Sequence, residues 1–102
     1  MRYRIALGDG KALEVAYVGP GSYELRLVGP TAYLTPRCPF SMGDLDRIDG
    51  TSAAWQSAGV VIERNGLYFS VTLDGKPFGT FDHAQWMQLW QRVLAYEETS
   101  AL

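Results

Sequence analysis

The chain has one cysteine and one histidine among its 102 residues, no dense run of like charge, and no apolar stretch approaching membrane-spanning length. A single cysteine cannot form an internal disulfide, and secreted domains of this size are often stapled by several, so the sequence points to a reducing, cytoplasmic setting. Met1-Arg2-Tyr3-Arg4 runs into alternating strand residues rather than the apolar core of a signal peptide. With roughly 20 apolar residues needed to cross a bilayer, no membrane partner is expected.

Charge is equally spare. Nine basic residues stand against eleven acidic ones for a net charge of -2, without the basic stripe that a nucleic-acid partner requires. What the chain does have is apolar substance: 47% hydrophobic and 13% aromatic residues, with 20% charged, enough to offset the entropy of ordering a single domain spanning residues 1 to 102.

Between residues 2 and 28 the apolar positions fall on odd numbers: Tyr3, Ile5 and Leu7, then Leu13, Val15 and Tyr17, then Tyr23, Leu25 and Leu27. Period two predicts strands with one buried face. Gly8-Asp9-Gly10-Lys11 and Gly19-Pro20-Gly21 punctuate them as hairpin turns. Matching apolar residues across the pairs sets Ile5 opposite Val15 and Val15 opposite Leu25. The same register sets Glu14 opposite Arg26 on a solvated outer face, an ion pair of about a few tenths of a kcal/mol.

Residues 29–50 break the alternation. Gly29-Pro30, Pro36 and Pro39 separate a short strand at Ala32 to Thr35 from an irregular loop, and proline excludes a central strand there. Ser41 and Asp44 cap a short helix that turns Met42, Leu45 and Ile48 inward, and Thr51 to Ala58 form a further turn or two of helix. A second hairpin follows, Val60 to Arg64 and Leu67 to Leu73 around Asn65-Gly66, setting Ile62 against Phe69 and Val60 against Val71. Asp74-Gly75 then turns the chain into a short strand with Phe78 facing Val71.

At Asp82 the period becomes 3.6. Asp82 is the N-cap, Gln85 completes a capping box, and Phe81 staples against Trp86. Projection of residues 83–98 gathers Trp86, Met87, Leu89, Trp90, Val93, Leu94 and Tyr96 on one half of the helix. The expected fold is therefore α+β: an antiparallel sheet of about six strands packed on a C-terminal amphipathic helix.

Candidate chemistry is sparse. Cys38-Pro39-Phe40-Ser41 has the form C-x-x-S, which resembles the active-site tetrad of monothiol glutaredoxins. In that family the motif follows the first strand of a βαβ unit, whereas here it follows an antiparallel meander, so Cys38 reads as structural. Asp44, Asp46 and Asp49 before Gly50 suggest a calcium loop, but Ile48 occupies the third ligand position and Trp55 the position of the bidentate Glu. His83 is flanked by Asp82, yet adjacent helix positions diverge by about 100°, and one histidine does not make a zinc site. Catalysis generally needs convergent titratable groups. Without them the sequence favours a non-enzymatic protein-protein interaction module of adaptor, chaperone-like, inhibitor or immunity type.

No cofactor and no metal are expected. The partner is another protein or a second copy of this chain, making a homo-oligomer, with Trp90, Met87, Leu94 and Tyr96 as the contact residues. Alternatives are a small-ligand-binding domain and an enzyme using His83 or Cys38.

Overall fold

The computed structural model describes residues 2–49 and 54–100. It is α+β, but with two antiparallel sheets of four strands each in place of a single sheet of six. The first is a meander of β1 (Arg2–Gly8), β2 (Lys11–Gly19), β3 (Ser22–Val28) and β4 (Cys38–Ser41). Helix α1 (Met42–Asp49) leads away from it. The second meander is β5 (Ala54–Ser57), β6 (Val60–Asn65), β7 (Tyr68–Leu73) and β8 (Lys76–Asp82), followed by α2 (His83–Ser100).

The two strands that sequence reasoning omitted, β4 and β5, are four residues each and pair along one side within their sheets. Such short edges carry too few alternations to stand out, and Pro39 in β4 is tolerated because an edge strand leaves one row of backbone donors unused. The helical turns expected over Thr51 to Ala58 give way to β5 from Ala54 onward; Thr51 to Ala53 lie outside the described residues.

Turn chemistry and bulges set the registers, and three differ from those expected. Asp9 and Gly10 both take positive φ (55° and 74°), the signature of a two-residue type I′ turn, so Ile5 faces Leu13 rather than Val15, with a bulge between Ala6 and Gly8. In the second hairpin Gly66 alone is left-handed (φ 65°), which places it first in a II′ turn with Leu67. Asn65 is thereby the last strand residue, paired with Tyr68, and Ile62 faces Val71 while Phe69 faces Arg64. Val15 opposite Leu25 and Glu14 opposite Arg26 are as expected. At the last hairpin a bulge brings Gly79, not Phe78, opposite Val71.

Both sheets contribute to one core, including Leu13, Val15 and Leu25 from the first and Ile62, Phe69 and Val71 from the second. They meet along β1 and β8, so closely that a Cβ at Gly79 would lie 2.8 Å from that of Leu7. On the other side Phe40 of β4 meets Trp55 of β5 edge-on, with ring centroids 5.5 Å apart. The helices close these two junctions, α1 against β4, β5 and β6 and α2 against β1 and β8.

Both helix starts follow the expected capping chemistry. The backbone N–H of Asp44 donates to Ser41 Oγ at 3.2 Å and that of Ser41 to Asp44 Oδ2 at 2.8 Å. Likewise the Gln85 N–H donates to Asp82 Oδ1 at 2.8 Å and the Asp82 N–H to Gln85 Oε1 at 2.9 Å. Ile48 is buried as expected, whereas the side chains of Met42 and Leu45 lie outside the described residues. Trp86 is buried against Phe81 and Phe69, with centroids 5.8 and 5.3 Å away, and Leu89 and Val93 complete the seam.

Candidate functional site: an arginine-bearing sheet face

Even-numbered residues of β1 to β3 point away from the core, and the ladder aligns them into rows. Arg4 sits beside Glu14, and Glu14 beside Arg26; one step along, Arg2, Ala16, Glu24 and Pro39 share a row. This face was expected to be solvated. Glu14 is instead buried, at 1% relative exposure.

The cover comes from residues 29–37. Gly29 N–H donates to the Ala32 carbonyl (2.8 Å), Leu34 N–H to the Leu27 carbonyl (2.9 Å), and Leu27 N–H to the buried Thr35 Oγ1 (3.0 Å), which ties the loop back along β3. Tyr33 is thereby laid over the sheet. Its ring lies under the Arg26 guanidinium at 3.7 Å from the centroid, and its hydroxyl donates to both Glu14 oxygens at 3.4 Å.

Glu14 completes the cluster by accepting from Arg4 Nε at 2.8 Å and pairing with Arg26 at 3.9 Å. A buried carboxylate needs this many donors, because desolvation otherwise exceeds the Coulombic gain. The hydrogen bond to Glu14, helped by one to Tyr33, holds the Arg4 guanidinium above its ordinary pKa. Arg26 is fixed in place from two sides and its side chain is only 16% exposed.

Beyond this cluster lies a cleft of about 210 Å³, lined by Arg2, Tyr17, Val18, Glu24, Arg26 and Arg37. Arg37 is 3.7 Å from Glu24 with most of its side chain in solvent, and Arg2 makes no ion pair with a described residue. Four arginines against two glutamates on one face, in a chain of net charge -2, make it locally positive. Sequence reasoning missed it because the arginines are spread from position 2 to position 37 and only the ladder and the loop bring them together. The even numbering of Arg2, Arg4 and Arg26 in alternating strands was the available signal, and Arg37 in the connecting loop carried none.

The residues singled out from the sequence lie elsewhere. Cys38 is buried on β4 with its thiol 3.5 Å from the Pro36 carbonyl. Burial pushes that thiol up in pKa, against a smaller opposing effect from a Ser57 hydrogen bond, which disfavours the nucleophilic thiolate. His83 is half-buried with its ring stacked on Phe69, 6.4 Å between centroids, and the neighbouring Asp82 carboxylate is engaged by the Gln85 N–H. Among the described residues no three His, Cys, Asp or Glu side chains converge as a metal site.

On α2, Leu94 stands 41% exposed, Trp90 and Met87 are half-buried with Trp90 packed on the core, and Tyr96 makes an edge contact with Tyr17 at 4.6 Å. No helix among the described residues is long and apolar enough to cross a membrane. Compared with protein-family models, curated proteins and solved structures, the chain has no significant match.

Proposed function

We propose that the chain is a non-enzymatic interaction module that binds another protein through the arginine-bearing face of its first sheet, in a reducing, cytoplasmic setting. One observation carries this reading: the Glu14 and Tyr33 cluster fixes Arg26 in place beside the more open Arg2 and Arg37, forming a rigid positive platform. Arginine is suited to this role, since its planar fork recognises carboxylates in two-point fashion and loses little freedom when already positioned. The groups that catalysis would use support the same reading, with the thiol held protonated and the Asp82 carboxylate occupied by a cap.

Self-association through Leu94, Trp90, Met87 and Tyr96 is a second reading, and the exposure of Leu94 favours it. A photo-crosslinking residue placed in the intact chain at Val18, beside the cleft, and separately at Thr80, on the outer face of the second sheet, tests the first. The expected result is a heterologous adduct from Val18 and not from Thr80, lost when Arg2→Glu and Arg37→Glu are combined. Adducts of twice the chain mass that disappear with Leu94→Arg would replace this reading with self-association. Equal labelling from both positions would overturn it.

A further inference from the structure

The arginine cleft is continuous with a second, more apolar depression of about 440 Å³, lined by Val18, Ser22, Tyr23, Pro39, Phe40 and Asp44. The two share Val18 and Glu24. Val18 is 54% exposed at the boundary, a large aliphatic side chain left in water by a chain that buries most of its others.

The spacing of the two depressions follows from the strands beneath. From its outward-facing positions β3 gives Glu24 and Arg26 to the first and Ser22 and Glu24 to the second, and the stretch entering β4 gives Arg37 to the first and Pro39 and Ser41 to the second, while the buried Tyr23 and Phe40 also border the second. Each list moves by two residues, one same-face step of a strand, about 6.8 Å. An extended ligand has that same spacing between its side chains i and i+2. The carboxylates along the way are already engaged: Glu24 pairs with Arg37, and Asp44 Oδ2 accepts from the Ser41 N–H and hydroxyl. The net electrostatic demand is thus for a negative group at one end and an apolar group at the other.

We infer that the partner segment is an extended peptide with a carboxylate at position i, held by Arg26 together with Arg2 and Arg37, and an aliphatic side chain at i+2, lying in the depression beside Val18 and Pro39. This rests on the reading that the face binds protein and supplies its specificity. The cleft admits one acidic side chain, and the apolar depression selects among acidic segments, which charge alone does not do.

Titration of the ¹⁵N-labelled full chain with the blocked peptide Gly-Asp-Ser-Leu-Gly, followed by amide shifts, tests the inference. Saturable shifts are expected at Val18 and Glu24. Affinity should fall about tenfold for Gly-Lys-Ser-Leu-Gly, for Gly-Asp-Ser-Lys-Gly, and for Arg37→Glu with the original peptide, the rest of its spectrum being unchanged. Equal affinity for all three peptides would overturn it, as would tighter saturation of the same amides by a short thymidine oligonucleotide or shifts confined to α2. If the Val18 crosslink captures an arginine-dependent protein while the peptide fails, this inference falls alone; if both fail, the parent reading falls with it.

Discussion

The two sheets share size, order and antiparallel pairing, yet their outer faces differ in kind. That of the second sheet carries Gln56, Val61, Glu63, Ser70, Thr72 and Thr80, and its strands are joined by two-residue turns that add nothing above it. That of the first carries four arginines and two glutamates, and the connection from β3 to β4 runs from residue 29 to residue 37 across it. A tight turn only reverses a strand. A longer loop adds a layer, and a layer over a sheet turns surface charges into buried ones with fixed geometry. The chemical identity of the first face depends as much on Tyr33 and Thr35 as on the arginines.

Removing the buried carboxylate should break this difference most severely. Glu14→Ala leaves Arg26 and the Tyr33 hydroxyl without their acceptor, and losing one partner of a buried ionic cluster costs about 3 kcal/mol. Thr80→Ala, on the corresponding face of the second sheet, should stay within about 0.5 kcal/mol of the unaltered chain. Urea unfolding of both variants checks the contrast. Equal losses would mean that the loop does not seal Glu14 and that the two faces are energetically alike.

A milder change sharpens the same point. Tyr33→Leu keeps an apolar cover while deleting the hydroxyl and the ring beneath Arg26, for an expected loss of about 1 kcal/mol. Peptide affinity should fall in parallel, because Arg26 would no longer be fixed toward the cleft. A variant of normal affinity would show that pre-positioning of Arg26 is dispensable.

Legibility in the sequence tracked how local each cause was. The period-two runs, the Asp74-Gly75 turn and both capping boxes depend on neighbours within a few residues, and they read correctly. Register failed at the second hairpin because turns of equal length compete: Asn65-Gly66 and Gly66-Leu67 are both acceptable two-residue loops, and the choice shifts every pair in the hairpin. β4 and β5 were hidden because strands of four residues exist only through their partners. The arginine face was hidden for the same reason on a larger scale. Arg4, Glu14, Arg26 and Tyr33 lie far apart in sequence and form a unit only after the sheet and its cover are built, whereas Trp86 and Leu89 proclaim their burial through helical spacing alone.

The smallest effect concerns the line where the two sheets approach each other through β4 and β5, at Cys38. Its thiol is raised in pKa chiefly by burial, so below the pKa of the unfolded thiol, about 8.5, both states hold the proton and the thiol adds no pH dependence. As pH rises past that value the unfolded chain releases its proton first, the folded state binds more protons than the unfolded one, and stability falls until the folded thiol ionises in turn. The quantity to measure is the difference between the unaltered chain and Cys38→Ala, in urea midpoints taken from neutral pH upward, which isolates the thiol. The unaltered chain should lose ground to the variant only on the alkaline side. A difference that stays constant would mean that water reaches the thiol, and therefore that Phe40, Trp55 and Ser57 leave the two sheets open to solvent at this edge while β1 and β8 close the other.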